Sequence, residues 1–94
     1  MNVVGSWAFI RFYDGTLIAD TEVKQAAEDM LKNDLECRID TMARMCKLTG
    51  FVREHESLSR GKFVETSMVL AIEHKKGEEY VKVVTRTGVN YYIG

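Results

Sequence analysis

The chain has 94 residues, of which 46% are hydrophobic and 29% are charged. This composition excludes a disordered or fibrous protein and predicts a single domain, residues 1–94, with one modest hydrophobic core. Thirteen basic and fourteen acidic residues give a net charge of −1. That balance argues against a basic nucleic-acid-binding module and against an acidic mimic of DNA, because each needs a sustained field of one sign.

The first segment, residues 3–13, predicts a strand. It is rich in aromatic and β-branched residues and stops at Asp14-Gly15, a pair typical of turns. Apolar side chains such as Trp7 and Ile10 would occupy both faces, as expected of a strand that is covered on both sides.

Residues 21–33 predict the main helix, because apolar side chains recur there at helical spacing. The stripe consists of Val23, Ala26, Ala27, Met30 and Leu31. Asp20 or Thr21 is expected to cap the first free amide groups of this helix.

Residues 35–54 allow two interpretations. As a helix, the segment would carry an apolar stripe rotated by about a third of a turn from that of the main helix. We therefore expect a break at Asn33-Asp34. As a strand, alternate apolar positions would share a face: Leu35, Cys37 and Ile39. We favour a short helix or irregular link at 35–42 and a strand near 44–54.

The last third of the chain predicts a three-stranded antiparallel meander. Its strands are expected at 62–74, 78–87 and 89–93. In the first of them one face is expected to hold Val64, Thr66, Met68, Leu70 and Ile72. Gly77 and Gly88 supply the left-handed residues that the two tight turns need. The terminal strand would end the sheet and leave a free edge.

Together these elements predict an α+β fold. We expect a small antiparallel sheet of four or five strands, open or curled towards a barrel, with the helix packed on one face.

No catalytic residue, cofactor or metal site is predicted. The possible ligands His55, His74, Cys37 and Cys46 lack the CxxC or HxxxH spacing that metal sites use, and no glycine-rich nucleotide loop is present. Both histidines lie in or beside polar segments, where solvated rings are expected. Both cysteines are expected to be buried free thiols.

The start of the chain lacks the pattern of a secretory signal, and its apolar runs are too short to span a membrane. A cytoplasmic location and no membrane partner are therefore expected.

A candidate interaction surface lies on the last two predicted strands: Lys82, Arg86, Tyr91 and Tyr92. Tyr91 and Tyr92 would point to opposite faces of an edge strand, so one of them would be exposed near the two basic side chains. An exposed tyrosine in that setting could anchor a protein partner or stack a base. The free strand edge could also form a homodimer.

Two motifs carry a resemblance to a group of known proteins. Gly61-Lys-Phe-Val-Glu-Thr-Ser-Met-Val69 reads GxxxxTSxV, and Thr85-Arg-Thr-Gly-Val-Asn-Tyr-Tyr-Ile-Gly94 reads TxxGxxYxxG. With the preceding run from Gly50 to His55, this resembles small proteins encoded by phages and mobile elements. Most such proteins have no assigned activity, and some act by binding host machinery, so the resemblance implies an origin more than a mechanism.

We therefore expect a non-enzymatic protein-interaction module, a phage-encoded modulator of a host protein. The first alternative is a nucleic-acid-binding module that uses a basic edge: Lys75, Lys76, Lys82 and Arg86. The second alternative is an enzyme with a site that sequence motifs do not reveal.

Overall fold

The computed structural model describes residues 2–11, 17–54 and 61–94. Phe12, Tyr13, the Asp14-Gly15 turn and His55 lie outside the described residues. The strands are β1 (Asn2–Arg11), β2 (Leu17–Ala19), β3 (Glu36–Asp40), β4 (Lys47–Glu54), β5 (Phe63–Glu65), β6 (Val69–Lys75), β7 (Val81–Thr85) and β8 (Asn90–Ile93). The helix α1 spans Asp20–Met30, and a short 3-10 helix spans Met42–Arg44. The predicted α+β class with one main helix is confirmed.

The strands form one open sheet in the order β3-β6-β7-β8-β1-β4-β5, with β2 paired to β1. Strands β3, β6, β7 and β8 are consecutive antiparallel neighbours, which matches the predicted antiparallel sheet of four or five strands. Strand β1 then joins β8 in parallel and β4 in antiparallel orientation, so the sheet extends to eight strands. Among the described strands β3 and β5 form the two ends, and the sheet is not closed into a barrel.

The terminal strand β8 is internal, so the prediction of a free edge at 89–93 is wrong. One side of β8 pairs with β7, and the other pairs in parallel with Asn2–Gly5 of β1. A parallel neighbour from the opposite end of the chain leaves no local signal in the sequence, since it needs no hairpin turn.

Helix α1 begins at Asp20 after an N-cap at Ala19, where no side chain caps the first amide groups. The predicted cap by Asp20 or Thr21 is therefore wrong. Instead, Asp20 and Glu22 place negative charge in the first turn, where the helix dipole favours it. The helix ends at Met30, ahead of the predicted break at Asn33-Asp34.

The buried side of α1 is narrower than the predicted stripe. Val23, Ala27 and Leu31 are buried, whereas Ala26 and Met30 are exposed. The sheet therefore covers a line of one residue per turn on this helix.

The segment favoured as a short helix or irregular link at 35–42 is largely strand β3. The alternative strand interpretation is confirmed, because β3 pairs with β6 from Glu36 opposite Lys75 to Asp40 opposite Ala71. The strand expected near 44–54 is confirmed as β4.

The strand predicted at 62–74 is two strands, β5 and β6. Strand β5 pairs with β4, whereas β6 pairs with β3 and β7, so the chain changes neighbours at Thr66–Met68. A register shift between Val69 and Ala71 also breaks the alternation. The residues buried in β6 are Val69, Ala71, Ile72 and His74. The predicted common face is therefore wrong, because it assumed one unbroken strand.

The last two strands alternate between buried and half-buried side chains. Val81, Val83 and Thr85 of β7 are buried, and in β8 Tyr91 is buried whereas Tyr92 is half-buried, on the opposite faces that were predicted. Gly77 and Gly88 adopt φ angles of 91° and 84°, which side chains with a Cβ rarely accept.

The hydrophobic core lies between α1 and the inner face of the sheet. Its buried members are Val23, Ala27, Cys46, Leu48, Val69, Ile72, Val81, Val83, Tyr91 and Ile93. Both cysteines are free thiols, Cys46 buried and Cys37 half-buried. Within the described ranges, no helix is long and apolar enough to cross a membrane.

Candidate functional site

A row of polar side chains crosses the outer face of the sheet, opposite the core. Arg38 of β3 lies in register with Glu73 of β6, Glu73 with Lys82 of β7, and Lys82 with Tyr92 of β8. Residues paired across antiparallel strands point to the same face, so four neighbouring strands place these side chains side by side. We call these four residues the outer row.

Glu73 is the electrostatic centre of the outer row. Its Oε2 lies 2.6 Å from Nη1 of Arg38, and its Oε1 lies 3.9 Å from Nζ of Lys82. All three side chains are partly exposed, so these ion pairs add little to the stability of the fold. They do hold the two cations in place, and the carboxylate of Glu73 offsets one of the two positive charges.

Two tyrosines stand beside the outer row. The rings of Tyr80 and Tyr92 pack edge to face, with their centroids 6.5 Å apart and an interplanar angle of 70°. This is a favourable arrangement for two aromatic rings, because the positive edge of one meets the negative face of the other. Both residues are half-buried. The pair therefore leaves part of its aromatic surface accessible to a ligand.

A buried histidine anchors the segment that carries Tyr80. Nδ1 of His74 lies 3.1 Å from the backbone oxygen of Tyr80. A carbonyl oxygen can only accept, so we assign the hydrogen to Nδ1 of His74. His74 is 5% exposed, and the prediction of a solvated ring at this position is wrong. His74 lies opposite Cys37 of β3 and is buried although a polar turn follows it in the sequence.

The outer row and the tyrosines line an open groove of about 740 Å³. Its lining residues are Glu36, Cys37, Arg38, Glu73, His74, Lys75, Glu78, Glu79, Tyr80, Lys82 and Tyr92. Four glutamates and three basic side chains (Arg38, Lys75, Lys82) give this lining a net charge of −1 with His74 neutral, since 3 − 4 = −1.

Three carboxylates at the rim of the groove differ from Glu73. Glu36, Glu78 and Glu79 are exposed, and none of them forms an ion pair with another described residue. The groove thus combines an ion-paired floor, an aromatic wall and an acidic rim.

The structure separates the four residues of the predicted interaction surface. Lys82 and Tyr92 come together in the groove. Tyr91 lies on the opposite face, 9% exposed, and burial raises the pKa of its phenol. Arg86 is exposed in the turn between β7 and β8 and does not line the groove.

The basic edge of the nucleic-acid alternative is also divided. Lys82 belongs to β7, which lies between β6 and β8, so it is not on an edge. Its ammonium group forms an ion pair with Glu73. Lys75 lines the groove, whereas Lys76 and Arg86 do not.

Motif-based reasoning missed Arg38, Glu73 and Tyr80. Glu73 could have been found from the alternation of β6 near its end, where it points away from Ile72 and His74. Arg38 could be placed only with the strand interpretation of 35–42, which supplies the fourth strand of the row.

The described residues hold no group of three His, Cys, Asp or Glu side chains that could bind a metal ion. Cys37 lies opposite His74 in the register of β3 and β6. Its Sγ donates to the backbone oxygen of Ala27 at 3.8 Å, however, while Nδ1 of His74 bonds to Tyr80. The thiol of Cys37 and Nδ1 of His74 therefore bond to different backbone oxygens and not to each other.

Comparison of the chain with protein-family models, with curated proteins and with solved structures gives no match.

Proposed function

We propose that this protein is a binding module that recognises a basic segment of a partner protein in the groove. The observation that carries the proposal is the packed pair Tyr80–Tyr92 beside the unpaired carboxylates of Glu78 and Glu79. A lysine or arginine side chain attracts both the face of an aromatic ring and a carboxylate, so one cation can use both.

The charges of the groove support a cationic ligand. Glu73 offsets one of the two charges of Arg38 and Lys82, and the lining as a whole carries a net charge of −1. The rim adds Glu36, Glu78 and Glu79 at the places where a ligand would enter. A partly desolvated contact between a cation and tyrosine is worth about 0.5–2 kcal/mol, enough to contribute to recognition.

The same balance disfavours nucleic acid. Affinity for a nucleic acid rests on lysine and arginine side chains that neutralise phosphates. In this groove four glutamates face three basic side chains. A phosphate backbone would therefore meet net repulsion, although the tyrosines could stack bases.

The resemblance to small phage proteins supports a particular class of partner. On that resemblance the partner is a protein of the host cell. Its activity would change because a surface is covered, and no chemical step on this chain would be needed.

The test is capture from a lysate of cells that carry the gene, with three matched baits. The baits are the wild-type protein, Glu79→Lys at the groove rim, and Glu28→Lys on the exposed side of α1. Both variants make the same change of charge, but only Glu79 lines the groove. We expect a partner that is retained by the wild type and by Glu28→Lys and is lost from Glu79→Lys.

A binding measurement with the recovered partner then tests the chemistry. Truncation of Tyr92 to alanine should weaken binding by about tenfold or more, as expected of an aromatic residue at an interface. A partner that binds Glu79→Lys as well as it binds the wild type would contradict the proposal. Binding of single-stranded oligonucleotides that falls steeply with salt would instead favour the nucleic-acid alternative.

A further inference from the structure

Strand β3 has a free edge with well-defined chemistry. In the described part of the chain β3 pairs only with β6. The backbone N–H of Lys76 donates to the oxygen of Leu35 at 2.8 Å, and that of Thr41 donates to the oxygen of Leu70 at 3.0 Å. In an antiparallel ladder such pairs alternate. Residues 35, 37, 39 and 41 therefore direct their backbone groups to β6, while Glu36, Arg38 and Asp40 direct theirs to the free edge.

This edge lacks two of the usual protections of exposed strands, a proline and a β-bulge. It is five residues long, contains no proline, and pairs with β6 in unbroken register. Apolar side chains also reach it on the inner face, where Leu35 is 78% exposed and Cys37 and Ile39 are only half-buried. An unpaired strand with uncovered apolar side chains is a template for pairing with another strand.

We propose that two copies of this chain pair antiparallel through β3, about a twofold axis at Cys37. In this register Glu36 of each copy faces Arg38 of the other, and Leu35 of each copy faces Ile39 of the other. The twofold axis makes each contact twice, as in any isologous dimer. The outer face then gains two pairs of opposite charge, and the inner face covers Leu35.

Two registers further along β3 are less favourable. An axis at Arg38 would place Arg38 against Arg38 and Glu36 against Asp40, so every facing charge would be of like sign. An axis at Ile39 would place Arg38 against Asp40. Oδ1 of Asp40, however, already accepts a hydrogen bond from the backbone N–H of Met42 at 3.0 Å.

The register with its axis at Cys37 has one unfavourable contact, at the two ends of the paired strands. It brings Asp34 near Asp40 of the other copy, and both residues are exposed. Solvent and salt screen charges in that position, so the repulsion is small beside two central ion pairs and a backbone ladder. A five-residue strand pair still makes a small interface, and we expect a dissociation constant of roughly 10 µM to 1 mM.

The dimer does not depend on what the groove binds. Glu36 and Arg38 lie at the β3 side of the groove, so pairing would place the two grooves next to each other on one continuous sheet. If no basic ligand bound in the groove, the dimer proposal would still stand. If the protein were monomeric, the groove proposal would still stand, because one test measures ligand binding and the other measures mass.

Sedimentation equilibrium over about 10 µM to 1 mM tests the pairing with a charge swap. Arg38→Glu should raise the dissociation constant by about tenfold or more, because Glu36 would then face glutamate twice. The double variant Glu36→Arg, Arg38→Glu exchanges the partners and should restore it to within about threefold of the wild type. Arg86→Glu makes the same change of charge away from β3 and should leave the dissociation constant unchanged.

Oxidation reports the register. Residues at a non-hydrogen-bonded antiparallel pair have Cα atoms about 4.5 Å apart, within the range that a disulfide spans. With diamide as oxidant, two Cys37 thiols give up two hydrogens to diamide and form one disulfide between copies. The variant Cys46→Ala, which keeps Cys37 as its one cysteine, should give a covalent dimer, and adding Arg38→Glu should slow this cross-linking.

A wild-type protein that stays monomeric at the highest concentration would overturn the proposal. So would a double variant that dimerises no better than Arg38→Glu alone. A dimer whose Cys37 thiols do not cross-link would overturn the assigned register.

Discussion

Tyr91 and Tyr92 are neighbours in the sequence that meet opposite environments. Successive side chains of a strand point to opposite faces, so β8 sends Tyr91 into the core and Tyr92 to the groove. Tyr91 lies opposite Val83, which is fully buried, whereas Tyr92 lies opposite the partly exposed Lys82. One tyrosine is therefore part of the core, and the other lines the groove.

The buried phenol of Tyr91 makes the stability of the fold depend on pH in the alkaline range. Burial disfavours the phenolate and raises the pKa of Tyr91 above its ordinary value of 10.0. The stability that the neutral Tyr91 side chain contributes is fully present below the pKa of Tyr91 in the unfolded chain. It is lost as the pH rises through the higher pKa of Tyr91 in the folded protein. We expect the free energy of unfolding, measured with urea, to fall as the pH is raised above 10.

The variant Tyr91→Phe isolates this effect from other groups that titrate at high pH. Its free energy of unfolding should fall less steeply above pH 10 than that of the wild type. Tyr92→Phe removes the same hydroxyl from the other face of β8, and alkaline destabilisation should persist in it. Equal slopes for the wild type and Tyr91→Phe would contradict the assignment.

At the scale of elements, a buried threonine joins two parts of the sheet. Oγ1 of Thr66 accepts a hydrogen bond from the N–H of Leu48 at 3.0 Å and donates to the oxygen of Ser67 at 2.8 Å. The backbone N–H of Thr66 donates to the oxygen of Leu48 at 2.9 Å. The hydroxyl of Thr66 thus provides the acceptor for a buried backbone N–H of β4, at the point where the chain leaves β5 and crosses to β6.

Thr66→Val should destabilise the protein by about 1–3 kcal/mol, because it leaves the buried N–H of Leu48 without an acceptor while it keeps the side-chain volume. Chemical denaturation measures the change. Thr87→Val removes an exposed hydroxyl that bonds to Ser67 and, in part, to Thr85, and should cost less than about 0.5 kcal/mol. A cost at Thr66 no larger than that at Thr87 would show that the crossing does not depend on this bond.

The elements also differ in how well the sequence predicts them. Helix α1, strand β7 and the turns at Gly77 and Gly88 depend on local spacing and local backbone preference, and all were predicted. A strand was not the favoured interpretation of the segment that forms β3. Its five residues alternate between charged and apolar side chains, and they form a strand only because β6 lies beside them. The groove inherits this limit, since Arg38 and Glu36 come from β3.

At the scale of the whole molecule, the N-terminal strand connects the two halves of the sheet. Residues Asn2–Gly5 of β1 pair in parallel with β8, and β1 pairs along its other side with β4. Among the described residues, no other strand ladder joins the group β3, β6, β7 and β8 to β4 and β5.

Deletion of residues 1–5 should therefore destabilise the whole domain. The parallel ladder contributes four residue pairs, and at about 0.5–1.5 kcal/mol for each hydrogen bond its loss removes a large part of a typical stability of 5–15 kcal/mol. We expect a fall of about 3 kcal/mol or more by thermal and chemical unfolding, with faster amide exchange in β8. Deletion of the exposed Gly94 is the control, and a truncated protein as stable as that control would contradict the role of β1.

The sequence by itself determined the α+β class, the main helix and the glycine turns, because each follows from composition or from contacts between residues close in the chain. The order of the strands, the internal position of β8, the strand β3 and the groove were decided only by the tertiary structure. Each of these depends on pairing between segments far apart in the chain, such as β1 with β8, and strand pairing has no residue code strong enough to be read from one sequence. The physical reason is that backbone hydrogen bonds, which join the strands, are the same for nearly every residue type.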